Sequence, residues 1–128
     1  MSGKRALLDS NTIIYLSKHQ IPAAILDQFD DHFISIITYM EVLGYRFQKP
    51  DEKELVKDIL NLCEILYMDL NIAEIVIELR KQHRIKLPDA IIAATAIYHD
   101  FTLITGDTED FNGLGLNISN PFQQMGID

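Results

Sequence analysis

The feature that most restricts the fold of this chain is a regular alternation between short apolar runs and segments with helical periodicity. Runs rich in β-branched and large apolar residues predict strands at residues 5–9, 32–36, 64–68, 102–105 and 116–118. Helices are predicted at residues 10–17, 22–29, 38 to about 48 and 51–61, with one capped by Asn71 and one that starts at Pro88. This alternation is typical of a parallel sheet covered by helices on both faces, so the expected class is α/β.

The length and the cysteine content indicate one domain in a reducing compartment. The 128 residues fit a single compact domain, and no linker, repeat or low-complexity tract divides residues 1–128. Cys63 is the one cysteine, so an internal disulfide framework is excluded. The apolar run before Asp9 is too short for a signal peptide, and no apolar stretch approaches the ~20 residues of a membrane span. We therefore expect a cytoplasmic protein without a membrane partner.

The charge balance restricts how the chain can bind nucleic acid. The formal net charge is −8, from 19 acidic and 11 basic residues. Strong non-specific binding to nucleic acid depends on basic patches, so this composition argues against it. A site that gathers several carboxylates around a cation would reconcile the acidic composition with a nucleic-acid substrate, because the contact would then be local and assisted by the metal.

Four acidic residues stand at positions where an α/β protein places its chemistry. Asp9 ends the first predicted strand, and Asp107 follows the strand at residues 102–105. Glu41 and Asp89 each fall in the first turn of a predicted helix. The carboxyl ends of parallel strands and the amino ends of the following helices share one edge of the sheet, and right-handed crossovers bring them together. The sequence therefore predicts an acidic cluster at this edge.

Such a cluster would require a counter-charge. Two carboxylates about 5 Å apart repel each other by roughly 3 kcal/mol at an effective dielectric constant near 20. Protons or a divalent cation must compensate four of them. Oxygen ligands select hard ions, so Mg²⁺ or Mn²⁺ is the expected cofactor. An ion of this kind can activate water and position a phosphate.

Each acid also has a purely structural interpretation. Asp9 can simply start the turn into the first helix, and Asp89 can complement the dipole of its own helix. Glu41 can complete a capping box with Thr38, and Asp107 with Asp110 can belong to an ordinary acidic loop. Competing chemistries have less support, because the four histidines lack zinc-ligand spacing and no serine nucleophile elbow or Walker sequence is present.

Four segments of the chain resemble the four motifs of PIN-domain ribonucleases, and the likeness is strongest to the VapC-type toxins of toxin–antitoxin pairs. The segments are residues 7–11, 35–41, 88–96 and 105–111, and the likeness continues to residues 118–122. The resemblance implies a three-layer α/β/α sandwich around a mostly parallel five-stranded sheet. It also implies a homodimer, an RNA substrate and a cognate antitoxin whose tail occupies the site.

The resemblance assigns roles to individual residues. Asp9, Glu41, Asp89 and Asp107 would form the metal pocket, with Ser10 or Thr12 as the hydroxyl residue next to the first acid. Asn11 follows the same motif, Thr38 opens the second, and Thr105 and Asp110 would lie beside the pocket. Many relatives have asparagine at the position of Asp107 and the acid at that of Asp110, so the order of these two around the metal stays open.

One departure from the family pattern is Gly106, which stands where relatives often have arginine. Loss of that cation would weaken the hold on the scissile phosphate. Together with the predicted acidic cluster, the resemblance implies an endoribonuclease that uses Mg²⁺ or Mn²⁺ and leaves a 5′-phosphate and a 3′-hydroxyl. A catalytically weak or inactive dimeric binding module and a metal-dependent phosphatase are the alternatives.

Dimerisation is expected through the helices at residues 51–61 and 71–86.

Overall fold

The computed structural model of the protein describes residues 3–123. Strands and helices alternate along the chain, as the sequence predicts. In order they are β1 (Arg5–Leu8), α1 (Ser10–Ser17), a 3₁₀ helix (Ala23–Gln28), β2 (Asp31–Ser35), α2 (Ile36–Leu43), α3 (Pro50–Leu62), β3 (Glu64–Leu66), α4 (Leu70–Gln82), α5 (Leu87–His99), β4 (Thr102–Ile104), α6 (Thr108–Phe111) and β5 (Asn117–Ser119).

The strands form one five-stranded sheet in the order β3-β2-β1-β4-β5. Every neighbouring pair is parallel, and Leu7 of the central strand β1 lies opposite Phe33 on one side and Leu103 on the other. The five-stranded parallel sheet is therefore confirmed. Strand β1 lies between β2 and β4, and all three run in the same direction, so their carboxyl ends are adjacent at one edge of the sheet. The chain continues from β2 to one side and from β4 to the other, and the segments that follow these strands meet at this edge.

Alternation along β1 divides the core into two layers. Ala6 and Leu8 pack with α1, α2 and α3 on one face of the sheet, whereas Leu7 packs with α4 and α5 on the other. Successive residues of a strand point to opposite faces, so a central strand buried on both faces is continuously apolar. The three-layer α/β/α arrangement is confirmed by these two cores.

Helix α5 is buried because small residues line it. Ala90, Ala93, Ala94 and Ala96 are at most 1% exposed, and they allow α5 to pack closely against both the sheet and α4. The helix has 13 residues. No helix within residues 3–123 is long and apolar enough to cross a membrane.

The start of α2 differs from the prediction. The helix begins at Ile36 because the Ser35 hydroxyl accepts a hydrogen bond from the backbone N–H of Ile37 at 3.2 Å. Ser35 thus takes the capping position, and the capping box predicted for Thr38 and Glu41 is wrong. Glu41 lies in the second turn, not in the first, and the helix ends at Leu43 rather than near residue 48.

Two further helix starts differ for similar reasons. The cap of α4 is Asp69, whose Oδ1 accepts from the N–H of Ile72 at 3.0 Å, so the predicted cap Asn71 lies inside the helix. Pro22 caps the 3₁₀ helix and is not its first residue. Helix α6 lies in the segment for which an acidic loop was one of the two interpretations. In α2 and α4 the capping side chain is short and polar, other short polar residues lie nearby, and local sequence does not decide between them.

Leu103 provides a test of the central core. It is fully buried at the middle of β4, and we expect Leu103→Ala to lower the free energy of unfolding by about 2–5 kcal/mol, because it removes packed methyl groups and leaves a cavity. Urea denaturation measures the change. Leu70 is 75% exposed at the start of α4, so the matched Leu70→Ala substitution should change stability by about 0.5 kcal/mol or less. Equal losses in the two variants would contradict this assignment of the core.

Candidate functional site

An acidic cleft at the carboxyl edge of the sheet is enclosed by the residues that follow β1 and β4, the second turn of α2 and the start of α5. Its volume is about 100 Å³. All four acids that the sequence singled out line it, together with Ser10, Asn11 and Asp110. The complete lining is Asp9, Ser10, Asn11, Glu41, Asp89, Ile92, Asp107, Asp110 and Phe111.

Asp9 is the most deeply buried of these acids, at 4% exposed. Its Oδ1 accepts a hydrogen bond from the backbone N–H of Thr12 at 2.8 Å, which caps α1. Its Oδ2 accepts from the Thr105 hydroxyl at 2.5 Å. The structural role considered in the sequence analysis is therefore real, and the same side chain also lines the cleft.

Hydrogen bonds to the end of β4 fix the position of Asp9. Its backbone N–H donates to the Ile104 carbonyl at 3.3 Å, and the Thr12 hydroxyl donates to the same carbonyl at 2.9 Å. Thr12 is fully buried and absent from the lining of the cleft, whereas Ser10 lines it. Of the two hydroxyl residues left open by the sequence, Ser10 is the one that faces the acids.

Two polar side chains of α1 hold the acids of other segments. The Ser10 hydroxyl donates to Glu41 Oε1 at 2.5 Å, and Asn11 Nδ2 donates to Asp107 Oδ2 at 2.8 Å. Thr105 Oγ1 additionally accepts from the backbone N–H of Asp107 at 3.0 Å. The first turn of α1 therefore connects the first, second and fourth motif segments.

Asp89 lies in the first turn of α5, as predicted, and is half-buried. Asp107 and Asp110 both line the cleft, and the charges of both raise the pKa of Asp89. Of the acidic neighbours, Asp110 has the largest electrostatic effect on Asp89, and Asp107 acts on Asp9. The structure thus places both residues of the fourth motif at the cleft, where Asp110 affects Asp89 and Asp107 affects both Asp89 and Asp9.

Burial and mutual repulsion disfavour the charged forms of the central acids. Burial raises the pKa of Asp9, the hydrogen bonds from Thr105 and Thr12 lower it, and the charge of Asp107 raises it further. Burial also raises the pKa of Asp89, with added repulsion from Asp110, Glu41 and Asp107, and only Lys86 acts in the opposite direction. The cleft therefore favours a neutralising positive charge.

Two of the predicted supporting residues do not line the cleft. Thr105 is fully buried and acts there through its hydrogen bond to Asp9, whereas no such bond connects Thr38 to the acids within residues 3–123. Thr38 is fully buried inside α2, and its hydroxyl has no hydrogen-bond partner within the described part of the chain. Conversely, Ile92 and Phe111 line the cleft and were missed. Ile92 follows Asp89 by three residues on the same helix face, so helical spacing could have revealed it. Phe111 depends on α6, which was not predicted.

The acids surround the cleft without forming a closed cage. Among residues 3–123, no group of three or more histidine, cysteine, aspartate or glutamate side chains converges closely enough to hold a metal ion directly. The donor atoms at the cleft are nonetheless carboxylate, hydroxyl and amide oxygens, which suit a hard divalent ion. Mg²⁺ in proteins commonly keeps several waters and binds one or two carboxylates directly.

An acidic cleft at the carboxyl edge of a parallel sheet, covered by helices on both faces, defines a class of α/β protein whose site is a group of carboxylates. The sequence from residue 6 to residue 115 matches the model of the PIN domain. This match spans most of the chain, and the protein belongs to the PIN-domain family. PIN domains are generally nucleases that use divalent metal ions.

Individual relatives agree with this family. The chain is 30% identical to the plasmid stability protein StbB of Pseudomonas syringae pv. tomato, over 91% of this chain and 98% of that protein. A chain of a toxin–antitoxin complex from Klebsiella pneumoniae is 35% identical, with a TM-score of 0.72 and coverage of 91% and 97%. VapBC2 from Rickettsia felis, solved with promoter DNA, shares the fold at 22% identity, with a TM-score of 0.75 and coverage of 91% and 98%.

The raised pKa of Asp9 predicts how stability changes with pH. Its pKa in the folded protein lies above the unfolded value of 3.8, so its ionisation costs stability as pH rises through the folded pKa. We expect Asp9→Asn to raise the melting temperature of metal-free protein at neutral pH, because asparagine keeps the helix cap without the buried charge. The difference should shrink as pH falls towards 4.

Thermal melting in EDTA at several pH values measures this effect. Asp27→Asn, at an exposed position of the 3₁₀ helix, is the control for removing one negative charge. A lower melting temperature for Asp9→Asn than for wild type at neutral pH would contradict the electrostatic argument.

Proposed function

We propose that this protein is an endoribonuclease dependent on Mg²⁺ or Mn²⁺, contained in one domain over residues 1–128. The observation that carries the proposal is the convergence of acids from distant segments. Asp9, Glu41, Asp89 and Asp107 come from four separate parts of the sequence and line one cleft of about 100 Å³. The family membership supports the same activity.

The chemistry of the donors fits a divalent ion. Asp9 and Asp89 would be its direct ligands. Burial raises the pKa of both carboxyl groups, so a nearby cation would stabilise their charged forms. Both oxygens of Asp9 already accept one hydrogen bond each, and a carboxylate oxygen has a further lone pair for a metal. When bound, such an ion supplies an activated water and neutralises charge on the phosphate.

The protein's own residues orient the groups around that ion. Thr105 and the N–H of Thr12 hold the Asp9 carboxylate in a single orientation. Ser10 holds Glu41, and Asn11 holds Asp107. Each of these acids would orient a water so that its oxygen faces the phosphorus, and would accept the proton that this water gives up. In-line attack would leave a 5′-phosphate and a 3′-hydroxyl. The hydrogen-bonded supports reduce the motion of the acids and so favour catalysis.

We also propose that the protein is the toxin of a toxin–antitoxin pair in the cytoplasm, active as a homodimer and inhibited by a cognate antitoxin. The 35% identity to a chain of a toxin–antitoxin complex supports this partner. The relative named as a plasmid stability protein agrees with such a role. An antitoxin tail with a cationic side chain would suit the cleft, because it would relieve the repulsion among the acids as a metal does.

Cleavage of RNA by the purified protein tests the nuclease activity. We expect cleavage of a mixed structured RNA pool with Mn²⁺ or Mg²⁺ and none with EDTA. Asp9→Asn should lower the rate by about 100-fold or more, because it removes a charged ligand from the ion. Asp27→Asn is the charge-matched control and should cleave as wild type. Unchanged cleavage by Asp9→Asn would refute the site.

Thermal melting tests metal binding independently of the substrate. Millimolar Mn²⁺ should raise the melting temperature of the wild type, because a ligand that binds only the folded state stabilises it. The same metal should have a much smaller effect on Asp9→Asn. Identical wild-type melting curves with and without metal, combined with no cleavage of any RNA, would favour the alternative of an inactive dimeric binding module.

A further inference from the structure

An aromatic pair stands beside the acidic cleft and has no part in the chemistry described above. The rings of Tyr15 and Phe122 meet edge to face, with centroids 5.0 Å apart and an angle of 67° between planes. Phe122 remains 36% exposed although it is large and apolar. An aromatic ring that is held in place and partly exposed to solvent offers an apolar surface against which a ligand can pack.

Tyr15 connects this pair to the cleft. It follows Asn11 by four residues in α1, so both side chains lie on one face of the helix, and Asn11 donates to Asp107. The pKa of the Tyr15 hydroxyl is raised by partial burial and then by the charges of Asp107 and Asp9. The aromatic pair is therefore an immediate neighbour of the fourth motif.

Gly106 makes room for the ring of Phe122. A methyl group added at Gly106 would lie 2.6 Å from Phe122 Cε2 and 2.9 Å from Cδ2, closer than carbon atoms can approach. The ring edge thus rests on the backbone directly before Asp107.

The turn that carries Phe122 is fixed to the sheet. The N–H of Thr105 donates to the Ser119 carbonyl at 3.1 Å, which joins the end of β5 to the fourth motif. The N–H of Phe122 donates to Asn120 Oδ1 at 3.0 Å, and the preceding Pro121 is buried. Little conformational freedom is left to the ring, so contact with a ligand would carry a small entropic cost.

We propose that Phe122 is a base-stacking subsite for single-stranded RNA. Tyr15 supports the ring of Phe122, and Gly106 leaves space for that ring because it has no side chain. This inference rests on the proposed nuclease function. A nucleobase next to the scissile phosphate would stack on the open part of the ring, a contact that needs no basic residue. An acidic chain can in this way hold RNA next to its metal site with little help from phosphate contacts. Stacking tolerates many bases but requires an unpaired one, so the subsite selects unpaired regions.

Abasic substitution in a short single-stranded RNA tests the subsite by kinetics. Removing the base at one position beside the cut should lower kcat/KM of the wild type by about 10-fold or more. Phe122→Leu should lower kcat/KM on the intact RNA by a similar factor and respond little to the missing base. Gly106→Ala, which displaces the ring without removing it, should behave in the same way.

Tyr98→Leu is the matched control. Tyr98 is 45% exposed near the end of α5 opposite to Asp89, so its loss should leave kcat/KM and the response to the abasic position unchanged. The inference is overturned if Phe122→Leu and Gly106→Ala both retain wild-type kcat/KM and the full response to the missing base.

Ultraviolet crosslinking in EDTA gives a readout that does not depend on cleavage. A uridine-containing single-stranded RNA should crosslink to Phe122 or Tyr15, as mapped by mass spectrometry. Crosslinks at these rings without metal-dependent cleavage would support the stacking subsite and contradict the proposed nuclease activity. Cleavage by the wild type together with crosslinks confined to other residues, and with normal kinetics of Phe122→Leu, would reject the subsite and retain the nuclease.

Discussion

The buried carboxylate of Asp9 is the interaction on which the rest of the site depends. It ends the central strand, caps α1 through the N–H of Thr12 and accepts the hydroxyl of Thr105 at the end of β4. One side chain therefore joins two adjacent strands and a helix at the carboxyl edge of the sheet. A neutral residue could make some of these contacts, but it could not supply the negative charge that a cation-dependent reaction needs.

The cost of this arrangement is electrostatic. Burial raises the pKa of Asp9 and Asp89, and each feels another acid of the cleft. The hydrogen bonds from Thr105 and Thr12 offset part of that cost by stabilising the charged form of Asp9. A bound cation would offset the rest, because it would neutralise the buried negative charge. The same repulsion that weakens the metal-free protein would then strengthen the binding of a metal or of a cationic side chain of a partner.

The acidic net charge also makes sense in this arrangement. A net charge of −8 gives the protein little general attraction for RNA, so recognition would depend on contacts near the metal site. Stacking on Phe122 would be such a contact, and the ring has room beside the fourth motif because Gly106 lacks a side chain. Recognition by stacking would favour unpaired bases without requiring phosphate contacts.

Local sequence patterns determined the order of strands and helices, the apolar central strand and the positions of the four acids after strands or in early helical turns. These features follow from side-chain periodicity and from general rules for parallel sheets, which act over a few residues. They did not determine that Ser35 rather than Thr38 would begin α2, because several polar residues near a helix start can cap it equally well.

Only the tertiary structure decided which side chains meet. The hydrogen bonds from Ser10 to Glu41 and from Asn11 to Asp107 join residues 31 and 96 positions apart, and the contact of Phe122 with Gly106 brings the turn after β5 beside the fourth motif. These contacts arise from strand order and from close packing in three dimensions, which periodicity along the chain does not encode. The sequence thus determined the chemical groups of the site, and packing decided their partners.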